Sequence, residues 1–181
     1  MKRYQIAILS FALGIFTVTS LGVYFINRIS DGVITIQDYQ APVEYMTIQV
    51  FFSNSTKDPE TLYCDRTYPV DRAVSRLSDN QKSALGEYIY LSVAKLLEGP
   101  AFNEKENGFF TSINEGARIQ KIIIENGIAN LDFNSRLNEG VAGSCKVMAI
   151  RSQITETLKQ FPEIKDVVIS VNGESETILQ P

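Results

Sequence analysis

The 181-residue chain contains no histidine, which removes Ser-His-Asp and Cys-His nucleophile pairs and histidine-ligated metal sites in one step. From Asp31 onward it carries 14 basic against 21 acidic residues, a formal charge of minus 7 with no basic stripe, so a polyanion is repelled and nucleic acid is excluded as a partner. The length holds one domain with a sizeable core plus something extra at an end.

The extra part is N-terminal. Ile6 to Ile26 is a mostly apolar run of 21 residues without a charge, preceded by Lys2 and Arg3. At 1.5 Å per residue it spans about 31 Å, enough to cross a hydrocarbon core. The small-residue cleavage candidate, Val18-Thr19-Ser20, lies inside the run, so residues 1–28 are read as an uncleaved transmembrane anchor rather than a signal peptide. Lys2 and Arg3 favour a cytoplasmic N-terminus, against Arg28 on the other flank, and the body is then extracytoplasmic on a single-pass protein of the cytoplasmic membrane. Residues 29–45 read as a linker and 46–181 as the folded domain.

The domain opens with a strand, Thr47 to Ser53, rich in β-branched and aromatic residues and followed by a turn-rich segment. Asn54-Ser55-Thr56 matches a glycosylation sequon and is read as a polar loop. Tyr63 to Val74 is expected to be extended, with Pro69 suiting an edge strand. Ser78 or Asp79 caps a long helix whose buried face holds Leu85, Tyr88, Ile89, Ser92, Val93, Leu96 and Leu97, stopped by Gly99-Pro100. Asn103 to Asn107 is expected to be a polar loop, with Phe109 and Phe110 packing into the core and Tyr90 facing outward. Arg118 to Glu125 and Ile128 to Phe133 form a hairpin through Asn126-Gly127, a pair that accepts the positive φ angles of a type I′ turn. After a loop from Asn134 to Gly143, Ser144 caps a second helix with Val147, Ile150, Ile154, Leu158 and Phe161 on one face, ended by Pro162. Val167 to Val171 is a strand, and Asn172-Gly173 returns the chain into a last short strand over Ser175 to Leu179. The order predicts an α+β fold of βαββαβ-like type, with two helices packed on one face of a mixed sheet.

Val50-Phe-Phe-Ser53, Leu96-Leu-Glu-Gly-Pro100, Asn126-Gly-Ile-Ala-Asn-Leu-Asp132 and Gln153-Ile-Thr-Glu-Thr-Leu-Lys-Gln-Phe-Pro162 before Val167 to Gly173 are similar to the GerMN domain. This is the sporulation and spore germination module of bacterial envelope proteins. The similarity covers about residues 46–173. It implies a compact α+β domain related to ring-building motifs, exported and anchored by a lipid or a membrane segment, with no settled catalytic activity. The first cysteine, Cys64, is far from the apolar run, so the run itself is the expected anchor.

Cys64 precedes the first helix and Cys145 begins the second, and such a packing brings the two segments close. In an exported body an oxidising environment favours a bridge over two separate buried thiols. With the cysteines 81 residues apart, the chain-entropy account gives the bridge about 4.5 kcal/mol. A reactive Cys145 thiolate at a helix N-terminus is the third reading, and it lacks a histidine base. Two cysteines make no zinc site. Gly140 to Lys146 has the glycines of a phosphate loop but not its Gly-Lys-Ser/Thr ending, and is read as an approach to the helix. No metal, cofactor or catalytic residue is expected.

The leading function class is a noncatalytic interaction domain acting on an envelope protein or cell-wall material. Its alternative is an envelope glycan hydrolase with Glu98 and Asp132 as its acid and base, which requires both carboxylates in one cleft. Oligomeric state is not legible.

Overall fold

Ten short elements follow Tyr45 in a computed structural model that describes residues 45–60, 62–75 and 81–180, all within one unit, Glu44–Pro181. The apolar run Ile6 to Ile26, the linker and the helix cap at Ser78 or Asp79 lie outside the described residues. Among those described, no helix is long and apolar enough to cross a membrane.

Strand β1 (Tyr45–Asn54) buries Ile48, Val50 and Phe52 on alternate positions, the period-two pattern of a strand with one face in the core. It pairs antiparallel with β2 (Tyr68–Ser75), which is the edge strand that Pro69 suggests and begins five residues later than expected from sequence. Helix α1 (Gln81–Leu97) buries Ile89, Ser92, Val93 and Leu96 as its periodicity predicts. Ser92 Oγ donates to the Tyr88 carbonyl at 2.8 Å, so the buried hydroxyl is satisfied within the helix. Gly99 at φ 77 supplies the left-handed stop.

The expected polar loop Asn103 to Asn107 is instead a short helix, α2 (Phe102–Glu106). Glu104 explains it: its carboxylate accepts from the Ala101 amide at 2.7 Å at the helix start, and takes Arg72 of β2 in a two-pronged bond of 2.6 and 2.7 Å. Phe109–Phe110 then form β3, which adds to the other side of β1 at Asn54 and Ser53. Phe109 packs against the core, whereas Phe110 is exposed, contrary to expectation, because the two rings point to opposite faces of the strand.

Strands β4 (Ile119–Glu125) and β5 (Ile128–Phe133) form the predicted hairpin, with Asn126 at φ 54 and Gly127 at φ 82. A turn of 3-10 helix, Ser135–Leu137, interrupts the expected loop after β5. Helix α3 (Ser144–Lys159) buries Val147, Ile150, Ile154 and Leu158. Its N-cap is Gly143 at φ 87, not Ser144, which is already helical. Strand β6 (Asp166–Val171) lies parallel to β5. The expected last strand is reduced to a bridge between Val171 and Glu174. Leu179 stands at φ 47, outside the extended region a strand needs, and side chains satisfy the backbone of buried Ile178 and Leu179: the Leu179 amide donates to Asn138 Oδ1 at 3.0 Å, and Arg151 donates to both carbonyls.

The largest departure concerns the sheet. The expected single mixed sheet is two three-stranded sheets, β2-β1-β3 and β4-β5-β6. The edge of β1 beside β3 is closed by side chains of α3 rather than by another strand. Gln160 Oε1 accepts from the Gln49 amide at 2.8 Å, and its Nε2 donates to the Gln49 carbonyl at 2.6 Å, as a neighbouring strand residue would. Thr157 Oγ1 accepts from the Phe51 amide at 3.1 Å, and buried Gln153 donates to Ser53 Oγ at 3.0 Å. These residues form a polar stripe at helical spacing beside the apolar one. The apolar stripe joins α1, β1, β5 and β6 in one core, where each fully buried Ile or Leu contributes about 1.5–3 kcal/mol.

Candidate functional site

The outward face of β4-β5-β6 carries three cross-strand rows set by the pairing register. Lys121, Asp132 and Ser170 form one; Ile123, Asn130 and Val168 the next; Glu125, Ile128 and Asp166 the last. The intervening residues Ile122, Leu131 and Ile169 point inward to the helices. No described element covers the outward face. Ile128 and Val168, each 37% exposed, stand there among polar neighbours. An open groove of about 590 Å³ runs along it, lined in part by Lys121, Asn130, Asp132, Ser170 and Asn172.

Asp132 has a structural task at the end of this face. Its Oδ1 accepts from Ser170 Oγ and from the Gly173 amide, both at 2.7 Å, which fastens the Asn172-Gly173 turn to β5. Glu98 lies elsewhere. It is exposed at the end of α1, pairs with Lys95 at 2.8 Å, and lines a separate groove with Pro100, Lys105 and Phe110. The two carboxylates proposed for glycan cleavage therefore do not share a cleft, and an acid and base on opposite sides of one sugar bond cannot be built from them.

Cys64 and Cys145 are joined in a disulfide, Cα atoms 5.0 Å apart. Both line a cleft of about 240 Å³ whose other walls include Ser53, Tyr63, Arg66, Phe110 and Lys146. Arg66 stacks on the Tyr63 ring at 3.9 Å. Lys146 of the glycine-rich approach donates to Asn114 Oδ1 at 3.0 Å, and Asn114 in turn donates to the Arg136 and Glu139 carbonyls, so this stretch is tied down as structure. The sequon asparagine, Asn54, is buried, with its amide nitrogen donating to the Asn107 carbonyl and its oxygen accepting from the Thr56 and Lys57 amides. Tyr90 is exposed as expected, and Tyr88 is half-buried. Among the described residues, no group of three or more acidic or cysteine side chains is gathered as a metal site would require.

Among the ion pairs of the described residues, Arg72–Glu104 is the most buried, with only 15% of each side chain exposed. Hydrogen bonding from Arg72 is the main cause holding the Glu104 carboxyl below the ordinary carboxylate value; partial burial opposes it and the Ala101 amide assists it. The spacing of Glu104 three residues after Ala101 signals only the capping carboxylate of the helix; its pairing with Arg72, 32 positions earlier, has no local signal.

A profile of proteins described as "Sporulation and spore germination" matches residues 49–177. The spore germination protein GerM of Bacillus subtilis (strain 168) is 28% identical over 108 residues, which is 58% of this chain and 28% of GerM. The chain thus spans less than a third of that relative's length. The solved tandem GerMN domains of the sporulation protein GerM from Bacillus subtilis superpose with a TM-score of 0.55 at 22% identity, over 80% of this chain and 44% of that one, which shows a common fold.

Proposed function

Because the chain belongs to the sporulation and spore germination family, we propose that its body is a noncatalytic interaction domain, held at the outer surface of the cytoplasmic membrane by the run Ile6 to Ile26 and acting on an envelope protein or cell-wall material. The observation that carries this reading is the outward face of β4-β5-β6. Three aligned rows place Ile128 and Val168 in water beside half-buried Ile123 and the amide of Asn130, a surface that a partner can dehydrate and hydrogen-bond together. The acidic and thiol groups that chemistry would need are engaged in other work: Asp132 holds a turn, Glu98 pairs with Lys95, and the cysteines are bonded to each other.

Two experiments test the proposal. In cells lacking the native gene, Val168→Arg and Asn130→Asp should abolish complementation while the melting temperature stays near that of the parent, since surface changes usually alter stability by less than about 0.5 kcal/mol. Glu98→Gln and Asp132→Asn should complement. Loss of complementation by a folded Glu98→Gln protein, with the face variants active, would favour the hydrolase reading instead. A reporter active only in the cytoplasm, fused after Pro181, should give no signal, and a strong signal would reverse the topology.

A further inference from the structure

The Cys64–Cys145 bond lies outside the apolar core. Neither cysteine belongs to the buried cluster; Cys145 is exposed and Cys64 is half-buried. The bond fastens a surface segment, residues 62–67 between β1 and β2, to the first turn of α3. One of its bonds ties the segment back to the start of the same loop, and two contacts lie within it and would move with it. The Tyr63 amide donates to Asp58 Oδ2 at 3.2 Å, the Arg66 amide to the Tyr63 carbonyl at 2.9 Å, and Arg66 stacks on Tyr63. The disulfide, and the Ser152 hydroxyl donating to the Asp65 carbonyl, cross from the segment to α3. Tyr63, Cys64 and Arg66 form one wall of the cleft, facing Phe110, Lys146 and Ala149.

We infer that the Cys64–Cys145 disulfide is a reversible redox site, opened in the folded protein by an oxidoreductase carrying a Cys-x-x-Cys dithiol, and that its opening swings the 62–67 wall away from α3 and widens the cleft. The attacking thiolate forms a bond to the sulfur of Cys145, the more exposed of the two residues, and the Cys64 sulfur leaves as a thiolate and takes a proton from water. The second thiol of the reductant then attacks its own partner sulfur in the mixed disulfide and expels the Cys145 thiolate. The reductant ends as a disulfide and the protein as a dithiol, a two-electron exchange. The departing Cys145 thiolate sits in the first turn of α3, where Gly143 offers no side-chain cap and the helix N-terminus favours negative charge. Because the core contains neither sulfur, the exchange leaves both sheets and helices in place. The inference stands whether or not the outward face binds a partner.

Full-length protein in detergent micelles, treated with dithiothreitol and sampled by alkylation and mass spectrometry, reads the exchange directly. The reduction rate should rise in proportion to dithiol concentration over about a tenfold range, because attack occurs on the folded protein. After reduction, amide exchange in residues 62–67 should quicken about tenfold or more while β5 and residues 150–158 keep their protection. A thioredoxin-type probe with Cys-x-x-Ser in place of its dithiol should be trapped on Cys145. A rate that levels off with dithiol would show that reduction waits on unfolding. Loss of protection in β5 on reduction would make the bond a structural staple, and trapping on Cys64 or no trapping would refute the order of attack. Any of these overturns the inference.

Discussion

Replacing Gln160 with Glu changes one nitrogen to oxygen and almost nothing in shape, yet it should uncouple α3 from β1. In the native protein Gln160 Oε1 accepts from the Gln49 amide, while Nε2 donates to the Gln49 and Thr157 carbonyls, both at 2.6 Å. A carboxylate keeps the first bond and strengthens it, but turns its second oxygen toward two carbonyl oxygens. Two hydrogen bonds are lost at about 0.5–1.5 kcal/mol each, and a half-buried charge meets two acceptors, so the net cost at neutral pH is about 2–3 kcal/mol. For a body of this size that lowers the melting temperature by about 6–9 °C. The sign of the pH dependence is fixed as well. Facing two acceptors, the introduced carboxyl holds its proton more tightly in the folded state, where its O–H can donate to the Gln49 carbonyl. Its folded pKa therefore lies above the ordinary value of about 4.3, and the folded state binds more protons. The deficit is smallest below the ordinary value and grows to its full size as pH rises through the folded one. Urea denaturation of parent and Gln160→Glu side by side at pH 4.5 and pH 7.5 measures both effects. A variant within about 0.5 kcal/mol of the parent at pH 7.5 would refute the assignment of this amide as the closure of the β1 edge.

Glu104→Gln should cost about 1–3 kcal/mol at neutral pH by leaving the Arg72 guanidinium without its carboxylate. Because the folded carboxyl is held below the ordinary value, its contribution is present above that value and lost as pH falls through the lower folded one; denaturation curves of parent and variant should converge in acid, and a gap unchanged down to about pH 3 would refute the pairing. Ile154→Asp places an unpaired charge at a fully buried position and should cost several kcal/mol; a melting temperature equal to the parent's would contradict the buried face of α3. Gly127→Ala should cost about 1–2 kcal/mol, since the turn holds φ at 82 and the added carbon would lie 3.1 Å from the Glu163 carbonyl oxygen; an unchanged melting temperature would mean that the hairpin relaxes freely there.

What was legible in the sequence was what periodicity and turn chemistry encode. The apolar faces of α1 and α3, the edge position of Pro69 and the left-handed Asn126-Gly127 and Asn172-Gly173 turns all follow from local residue patterns. The split into two sheets does not, because it rests on Gln153, Thr157 and Gln160. These residues look solvent-facing by hydropathy, and their partners lie on β1 some 100 to 111 positions away. A buried amide is favourable only when the opposite backbone is already in place, so no window along the chain carries the signal. Helix α2 is missed for another reason. Five residues are too few to show a helical period, and the helix is held by Arg72, 32 positions earlier.

The candidate site was hidden in the same way. Asp132 and Glu98 are the carboxylates that chemistry-minded reading selects, and the fold separates them and gives each a partner. Val167 to Val171 reads as a nearly continuous apolar run, the mark of a strand buried on both faces, yet β6 is an edge strand with Val168 turned to the open side. Lys165 and Asp166 put charge at the start of that edge, which discourages indiscriminate pairing with other strands. They leave the face itself open. On β5, Ile128, Asn130 and Asp132 repeat at period two opposite Ala129, Leu131 and Phe133, so one strand supplies the core on one side and a mixed surface on the other. A valine and an isoleucine held in water beside an amide gain nothing for the isolated fold, whereas covering them by a partner releases their hydration, and that asymmetry is the physical basis on which this face is proposed as the contact surface.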